Sequence, residues 1–151
     1  DEDCEDMVNL HTLTPETILR NLEVRFDRTK PYTYVGRIVI STNPFEWIDG
    51  LYSNDTIAAY SRVPDVFADL HPHVYAVARD ALDKLTDAQE SQSILISGES
   101  GAGKTENTKI CMSYLAHVDD GLTSNTAVHA VTSRVLQTNP LLEAFGNAST
   151  T

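Results

Sequence analysis

The sequence predicts an α/β fold, a mostly parallel sheet with flanking helices, and three observations carry that prediction. An apolar run at residues 93–96 meets glycines at Gly98, Gly101 and Gly103, and a helical pattern follows at once. A second β-rich run, YTYVGRIVIS at residues 32–41, lies between two further helical patterns. The 151 residues, 41% hydrophobic and 22% charged, have a globular balance at the length of one ordinary domain.

The acidic start, DEDCED at residues 1–6, reads as a solvated chain end. Thr14 then suits an N-cap, with Pro15 at the first helical position and Glu16 in the first turn. Ile18, Leu19, Leu22 and Phe26 mark one face of a helix over 15–26. Residues 32–41 form a strand, bent or interrupted at Gly36. Residues 43–52, NPFEWIDGLY, carry Asn-Pro and Asp-Gly punctuation and form an ordered loop.

A second helix runs through HVYAVARDALDKL, with Val74, Val77, Ala78, Ala81, Leu82 and Leu85 on one side. A polar link leads to the strand at 93–96. Beyond the glycines, Ile110, Cys111, Tyr114, Leu115 and Val118 share a face of a helix that starts near Gly103. Residues 119–125 read as a loop and residues 127–137 as another helix.

Charge and cysteine content narrow the function. Acidic residues outnumber basic ones 22 to 11, a net charge of −11, which argues against a nucleic-acid surface. Cys4 and Cys111 lack metal-type spacing and read as free thiols in a reducing compartment. No window approaches 18 consecutive apolar residues, so no membrane segment is expected, and the first thirty residues lack signal-peptide order. A cytoplasmic protein is expected, and its start at Asp1 reads as a cut end. His71 and His73, two apart, do not share a helix face and suit a metal site poorly. Trp47 and the tyrosines read as core or loop anchors, because no basic groove accompanies them.

Two chemistries compete for residues 93–105, SILISGESGAGKT. A nucleophile elbow makes Ser100 the working residue, with small residues required two positions to either side. Gly98 meets the first requirement and Ala102 replaces the usual second glycine. The later acids and histidines, Asp119, Asp120, Glu143, His117 and His129, crowd onto predicted helices and their loop, where no strand ends carry them. A dinucleotide fingerprint fails at Glu106, where a small residue is required.

The phosphate-loop reading employs every key residue of Gly98, Glu99, Ser100, Gly101, Ala102, Gly103, Lys104 and Thr105. Glycines let backbone N–H groups turn toward phosphate oxygens, and the following helix adds its positive end. Lys104 reaches the β- and γ-phosphates, and the Thr105 hydroxyl binds Mg²⁺.

GESGAGKTENTK, residues 98–109, resembles the phosphate loop of the myosin motor domain, and TENTK makes the match more specific than the general NTPase pattern. EDMVNLHTLTPETILRNLEVRF, PYTYVGRIVISTNPF and NPLLEAFGNAST are similar to other parts of that head, in the expected order, so the likeness covers nearly the whole chain.

The resemblance implies a partial phosphate-loop NTPase fold of the myosin and kinesin type over 1–151, with a purine-binding loop at 43–52 and the phosphate loop at 98–105. It places Asn43, Pro44 and Tyr52 on the adenine side, Lys104 on phosphate and Thr105 on magnesium, with Glu106 and Asn107 beside the nucleotide. It implies ATP and Mg²⁺ as cofactors and actin filaments as partner. Light chains or calmodulin would join through a lever that this chain lacks, and the location would be the myosin complex of the cytoskeleton.

Departures from the family pattern include Glu46 where a lysine is common, an extra residue before Tyr52, Ile110 after Lys109, and Ser149. The chain stops at Thr151, short of the family's switch loops, and so reads as a piece of a motor head that is inactive alone. Two alternatives stay open: an unrelated phosphate-loop kinase or NTPase, and a non-catalytic actin tether.

Overall fold

A computed structural model describes residues 3–122 of the chain, which divides into two units, 1–92 and 93–151. In the first unit, α1 spans Pro15–Asp27. Its start is set as the sequence predicts: Thr14 accepts from the Thr17 amide, and Thr17 Oγ1 accepts from the Thr14 amide at 3.0 Å. Such reciprocal capping is worth about 1 kcal/mol.

The predicted apolar face of α1 is only partly buried. Leu19 is 69% and Phe26 41% exposed, while Asn21 and Arg25 are buried. The cause is residues 3–6 of the acidic start, which bond to α1 and to the segment after it and are not a solvated end. Cys4 exchanges two hydrogen bonds with the Asn21 side chain, at 2.7 and 3.0 Å. The Tyr34 amide donates to the Glu5 carbonyl at 2.8 Å, and Asp6 Oδ1 accepts from the amides of Val8 and Gly36. A short 3₁₀ turn at Met7–Asn9 follows, with Met7 2% exposed.

Residues 32–41 form a hairpin instead of one strand. β1, Tyr32–Val35, pairs antiparallel with β2, Ile38–Ser41, and Val35 faces Ile38 across the turn. Gly36 takes φ +59° there, a conformation that glycine adopts without a Cβ penalty. The chain therefore reverses at the residue that the sequence marks as a bend. This hairpin is the sheet among the described residues, with one isolated parallel bridge between Asp6 and Tyr34.

Two helices not predicted from the sequence follow the 43–52 loop. α2, Asn54–Arg62, is capped by Ser53, and α3, Val66–Asp69, by Asp65. α4 spans Val74–Asp87 with His73 as its N-cap. Its first turns enter the core through Val74, Tyr75, Ala76 and Ala78, while Leu85 is 49% exposed. Arg79 fastens α4 to α2 by donating to the Ser61 carbonyl at 2.7 Å.

In the second unit the predicted strand at 93–96 has no ladder partner among the described residues, and Leu95 is 92% exposed. A β-rich sequence offers a strand, but only a neighbouring segment completes its hydrogen bonds. α5 spans Lys104–Leu122, so part of the expected 119–125 loop is helical. Cys111, Tyr114 and Val118 of its predicted face are buried. The helix expected at 127–137 and the NPLLEAFGNAST segment lie outside the described residues.

Candidate functional site

The glycine loop is built on backbone conformations that glycine adopts readily. Gly101 and Gly103 take φ +80° and +88°, a region that side chains other than glycine rarely adopt. A Cβ at Gly98 would stand 3.1 Å from that of Ala102, so the small residues at both positions let the loop fold closely. The Ala102 amide donates to the Glu99 carbonyl at 3.2 Å, closing a turn around Ser100. Gly98, Glu99, Ser100 and Gly101 are exposed.

Lys104 opens α5 and folds back over this turn. Its Nζ donates to the carbonyls of Gly98 at 2.9 Å and Glu99 at 2.7 Å. Both partners are neutral, so the ammonium charge remains available to an anion at the loop. The 19-residue helix behind it aligns its peptide dipoles with their positive end at Lys104. Thr105 is exposed on the first turn of α5. Asn107 bonds the Gly103 carbonyl twice, through its backbone amide at 2.9 Å and its side chain at 3.1 Å. Glu106 pairs with Lys109 at 2.8 Å. The positive-φ glycines, the lysine and the helix start are chemically suited to a polyphosphate.

The 43–52 loop belongs to the first unit. Asn43 Oδ1 accepts from the Phe45 amide at 3.0 Å, which supports Phe45 at φ +54°. Phe45 and Trp47 are 85% and 72% exposed. At the loop's far end Gly50, at φ +79°, turns the chain toward Ser53, whose amide bonds the Gly50 carbonyl at 3.2 Å. The Trp47 and Tyr52 rings meet at 5.1 Å, and the Tyr52 hydroxyl shares a 2.7 Å hydrogen bond with that of Tyr32. Burial raises the Tyr52 phenol above its usual range, against the lowering effect of Tyr32.

His73 holds this end of the loop and was not singled out as a site residue by the sequence. It is 2% exposed, its Nδ1 accepts from the Tyr75 amide, and its Nε2 donates to the Leu51 carbonyl, both at 3.1 Å. These partners assign the neutral tautomer protonated on Nε2. Burial pushes His73 down to about 4, with the Leu51 bond acting weakly the other way. Rings of Tyr32, Tyr52, Tyr60 and Tyr75 surround it at 4.2 to 5.6 Å. His71, by contrast, is solvent-facing and pairs with Glu5 at 2.7 Å.

Of the expected site residues, Asn43, Pro44 and Tyr52 lie in the first unit and residues 98–107 in the second. Within each unit they are gathered by local chain geometry. No helix among the described residues is long and apolar enough to cross a membrane.

A family model for the myosin head (motor domain) matches residues 4–151. The chain is 46% identical over 154 residues to the myosin IC heavy chain of Dictyostelium discoideum, covering 99% of this chain and 13% of that protein. It is 44% identical over 146 residues to unconventional myosin-Ia of Homo sapiens, covering 97% and 13%, and equally identical to myosin-7 of Arabidopsis thaliana, covering 97% and 8%. The chain thus spans a small part of the curated relatives it matches. The glycine loop, the lysine over it and a match across 4–151 lead to one conclusion: the chain belongs to the myosin head (motor domain) family, with its phosphate-loop NTPase type of fold.

Proposed function

We propose that residues 1–151 are a partial motor domain, the ATP-binding portion of an actin-based motor whose full-length parent couples MgATP hydrolysis to movement on actin filaments. The observation that carries this reading is Lys104 folded over a loop of positive-φ glycines at the start of a long helix. Family membership over 4–151 supports it. Residues 98–105 are the phosphate loop and residues 43–52 the purine-binding loop.

In this reading Lys104 turns its amine from the carbonyls of Gly98 and Glu99 toward the β- and γ-phosphates. Backbone N–H groups of the loop hold phosphate oxygens, and the start of α5 adds favourable charge. Thr105 ligates magnesium; the bound ion neutralises developing charge between the phosphates. Glu106 and Asn107 lie beside the nucleotide, and Asn43, Pro44 and Tyr52 contact the base. Residues 93–96 join a mostly parallel sheet, an assignment supported by their β-prone apolar composition directly before the glycine loop and by family membership. Actin filaments, and light chains or calmodulin on a lever, are the partners, and the cytoskeleton is the site of action. The 151 residues alone bind nucleotide without motor-like turnover, because an in-line water must also be positioned.

Steady-state MgATPase of the full-length parent, with and without filamentous actin, tests the reading. Actin-stimulated turnover that Lys104→Ala abolishes is the expected result. Nucleotide-independent actin binding with no turnover would leave a tether, and phosphate transfer to another acceptor would leave a kinase.

A further inference from the structure

Thr56 Oγ1 donates to the Gly50 carbonyl of the 43–52 loop at 2.8 Å, and two further bonds from other elements act at the loop's last two residues. His73, the N-cap of α4, donates from Nε2 to the Leu51 carbonyl, and Tyr32, the first residue of β1, bonds the Tyr52 hydroxyl at 2.7 Å. The two anchors also pack on each other, with ring centroids 4.9 Å apart. We propose that His73 and Tyr32 are positioning residues for the base of the nucleotide, fixing Leu51 and Tyr52 so that the Tyr52 ring stands ready at the purine. The assignment rests on reading residues 43–52 as the base-side loop.

Three features of the site support it. The middle of the loop is more exposed than its end: Phe45 and Trp47 are exposed, and the Asn43 side-chain oxygen accepts from the Phe45 amide. A tyrosine ring on a loop loses binding strength if it must be ordered when the ligand arrives, and side-chain immobilisation is a standard cost of association. Holding both the backbone at Leu51 and the hydroxyl at Tyr52 removes that cost in advance, leaving the ring with little freedom except its face. Tyr52 further meets the His73 ring at 5.6 Å and the Tyr75 ring at 6.3 Å, so the anchors reach its ring as well as its hydroxyl.

The two nitrogens of His73 have separable duties, which makes the proposal testable. Nδ1 caps α4 through the Tyr75 amide, whereas Nε2 reaches Leu51. His73→Asn places an acceptor near Nδ1 and loses the reach to Leu51; His73→Gln keeps a donor near Nε2 and loses the cap. Tyr32→Phe removes the hydroxyl and keeps the ring in the core.

In the full-length parent, the affinities for ATP and for inorganic triphosphate, which has no base, are measured for each variant alongside Tyr52→Ala. His73→Asn is expected to weaken ATP about tenfold and Tyr32→Phe about fivefold, with triphosphate unchanged, and His73→Gln to recover most of the ATP affinity. Equal losses for both ligands in His73→Asn and Tyr32→Phe would overturn the proposal, because the residues would then act through fold stability. If His73→Asn does not fold, Tyr32→Phe decides by itself. A Tyr52→Ala variant that loses ATP selectively while both anchor variants behave as wild type overturns the positioning role alone. A Tyr52→Ala variant that loses both ligands equally removes the base-side reading and this assignment with it.

Discussion

Arg25 Nη1 donates to Asp3 Oδ1 at 2.6 Å, a bond that seats the acidic start of the chain on α1. The Arg25 side chain is 2% exposed and satisfied along its whole fork, since Nε donates to Thr33 Oγ1 and Nη2 to the Tyr32 carbonyl, each at 2.9 Å. Asp3 also receives Arg28 at 2.8 Å and Lys30 at 2.6 Å. Arg25→Ala would leave the buried Thr33 hydroxyl and the Tyr32 carbonyl without their Arg25 donors and vacate the side chain's buried volume, although Asp3 keeps Arg28 and Lys30. Arg25→Ala should therefore destabilise the first unit by about 3 to 5 kcal/mol, whereas Arg28→Ala, at an exposed pair, should cost about 1 kcal/mol or less. Denaturant midpoints of the two variants check the ranking, and equal midpoints would deny Arg25 its role.

Acid should weaken the fold in two separate windows. His73 has its usual value of 6.5 lowered to about 4, so an unfolded chain binds more protons between those values. Its contribution is present above pH 6.5 and lost as pH falls toward 4, on the order of 3 kcal/mol in all. Burial would raise Asp3, but hydrogen bonds from Lys30 and Arg28 and the charges of Lys30 and Arg25 outweigh it and hold the carboxyl at about 2. That contribution is present above pH 3.8 and lost as pH falls through about 2. Melting temperatures from pH 8 to 4 should fall, and the His73→Asn variant should show a flatter profile. A wild-type profile that is level across this range contradicts the buried neutral histidine.

Lys104→Ala should weaken ATP binding at least about tenfold, since a charge-assisted hydrogen bond is worth about 1.5 to 3 kcal/mol. Inorganic triphosphate should lose affinity by a similar factor, because the lysine serves the phosphates and not the base. Titration with a fluorescent ATP analogue, displaced by each ligand, measures both. Unchanged affinity would remove Lys104 from the phosphate site.

Gly103→Ala should strain the loop even though it creates no clash. The nearest atom to an added Cβ is Asn107 Nδ2 at 3.7 Å, so the cost comes from φ +88°. That conformation costs an L-residue roughly 1 to 2 kcal/mol. Nucleotide affinity should fall by about tenfold, with helix content by circular dichroism unchanged. Equal nucleotide affinity in the variant would show that the loop relaxes without harm to the site.

The sequence alone determined the elements governed by near neighbours. Thr14, Pro15 and Thr17 start α1 through contacts within one turn, and the glycines from Gly98 to Gly103 shape their loop through backbone freedom that no distant residue supplies. The α5 face of Cys111, Tyr114 and Val118 follows from helical periodicity. The same local logic made residues 98–105 legible as a candidate phosphate loop, and their spacing carried the family resemblance.

Tertiary structure decided what depends on residues far apart in the chain. DEDCED reads as a solvated end until Arg25, Asn21 and Tyr34 supply partners to Asp3, Cys4 and Glu5, and Leu19 and Phe26 are left exposed because α1 turns Asn21 and Arg25 toward those residues. His73 shows no signal beside His71 in sequence; its role arises from Leu51, 22 residues earlier. Residues 93–96 have the composition of a strand and lack a ladder partner among the described residues. Local sequence sets which hydrogen bonds a segment offers, and only the folded chain sets which of them are accepted.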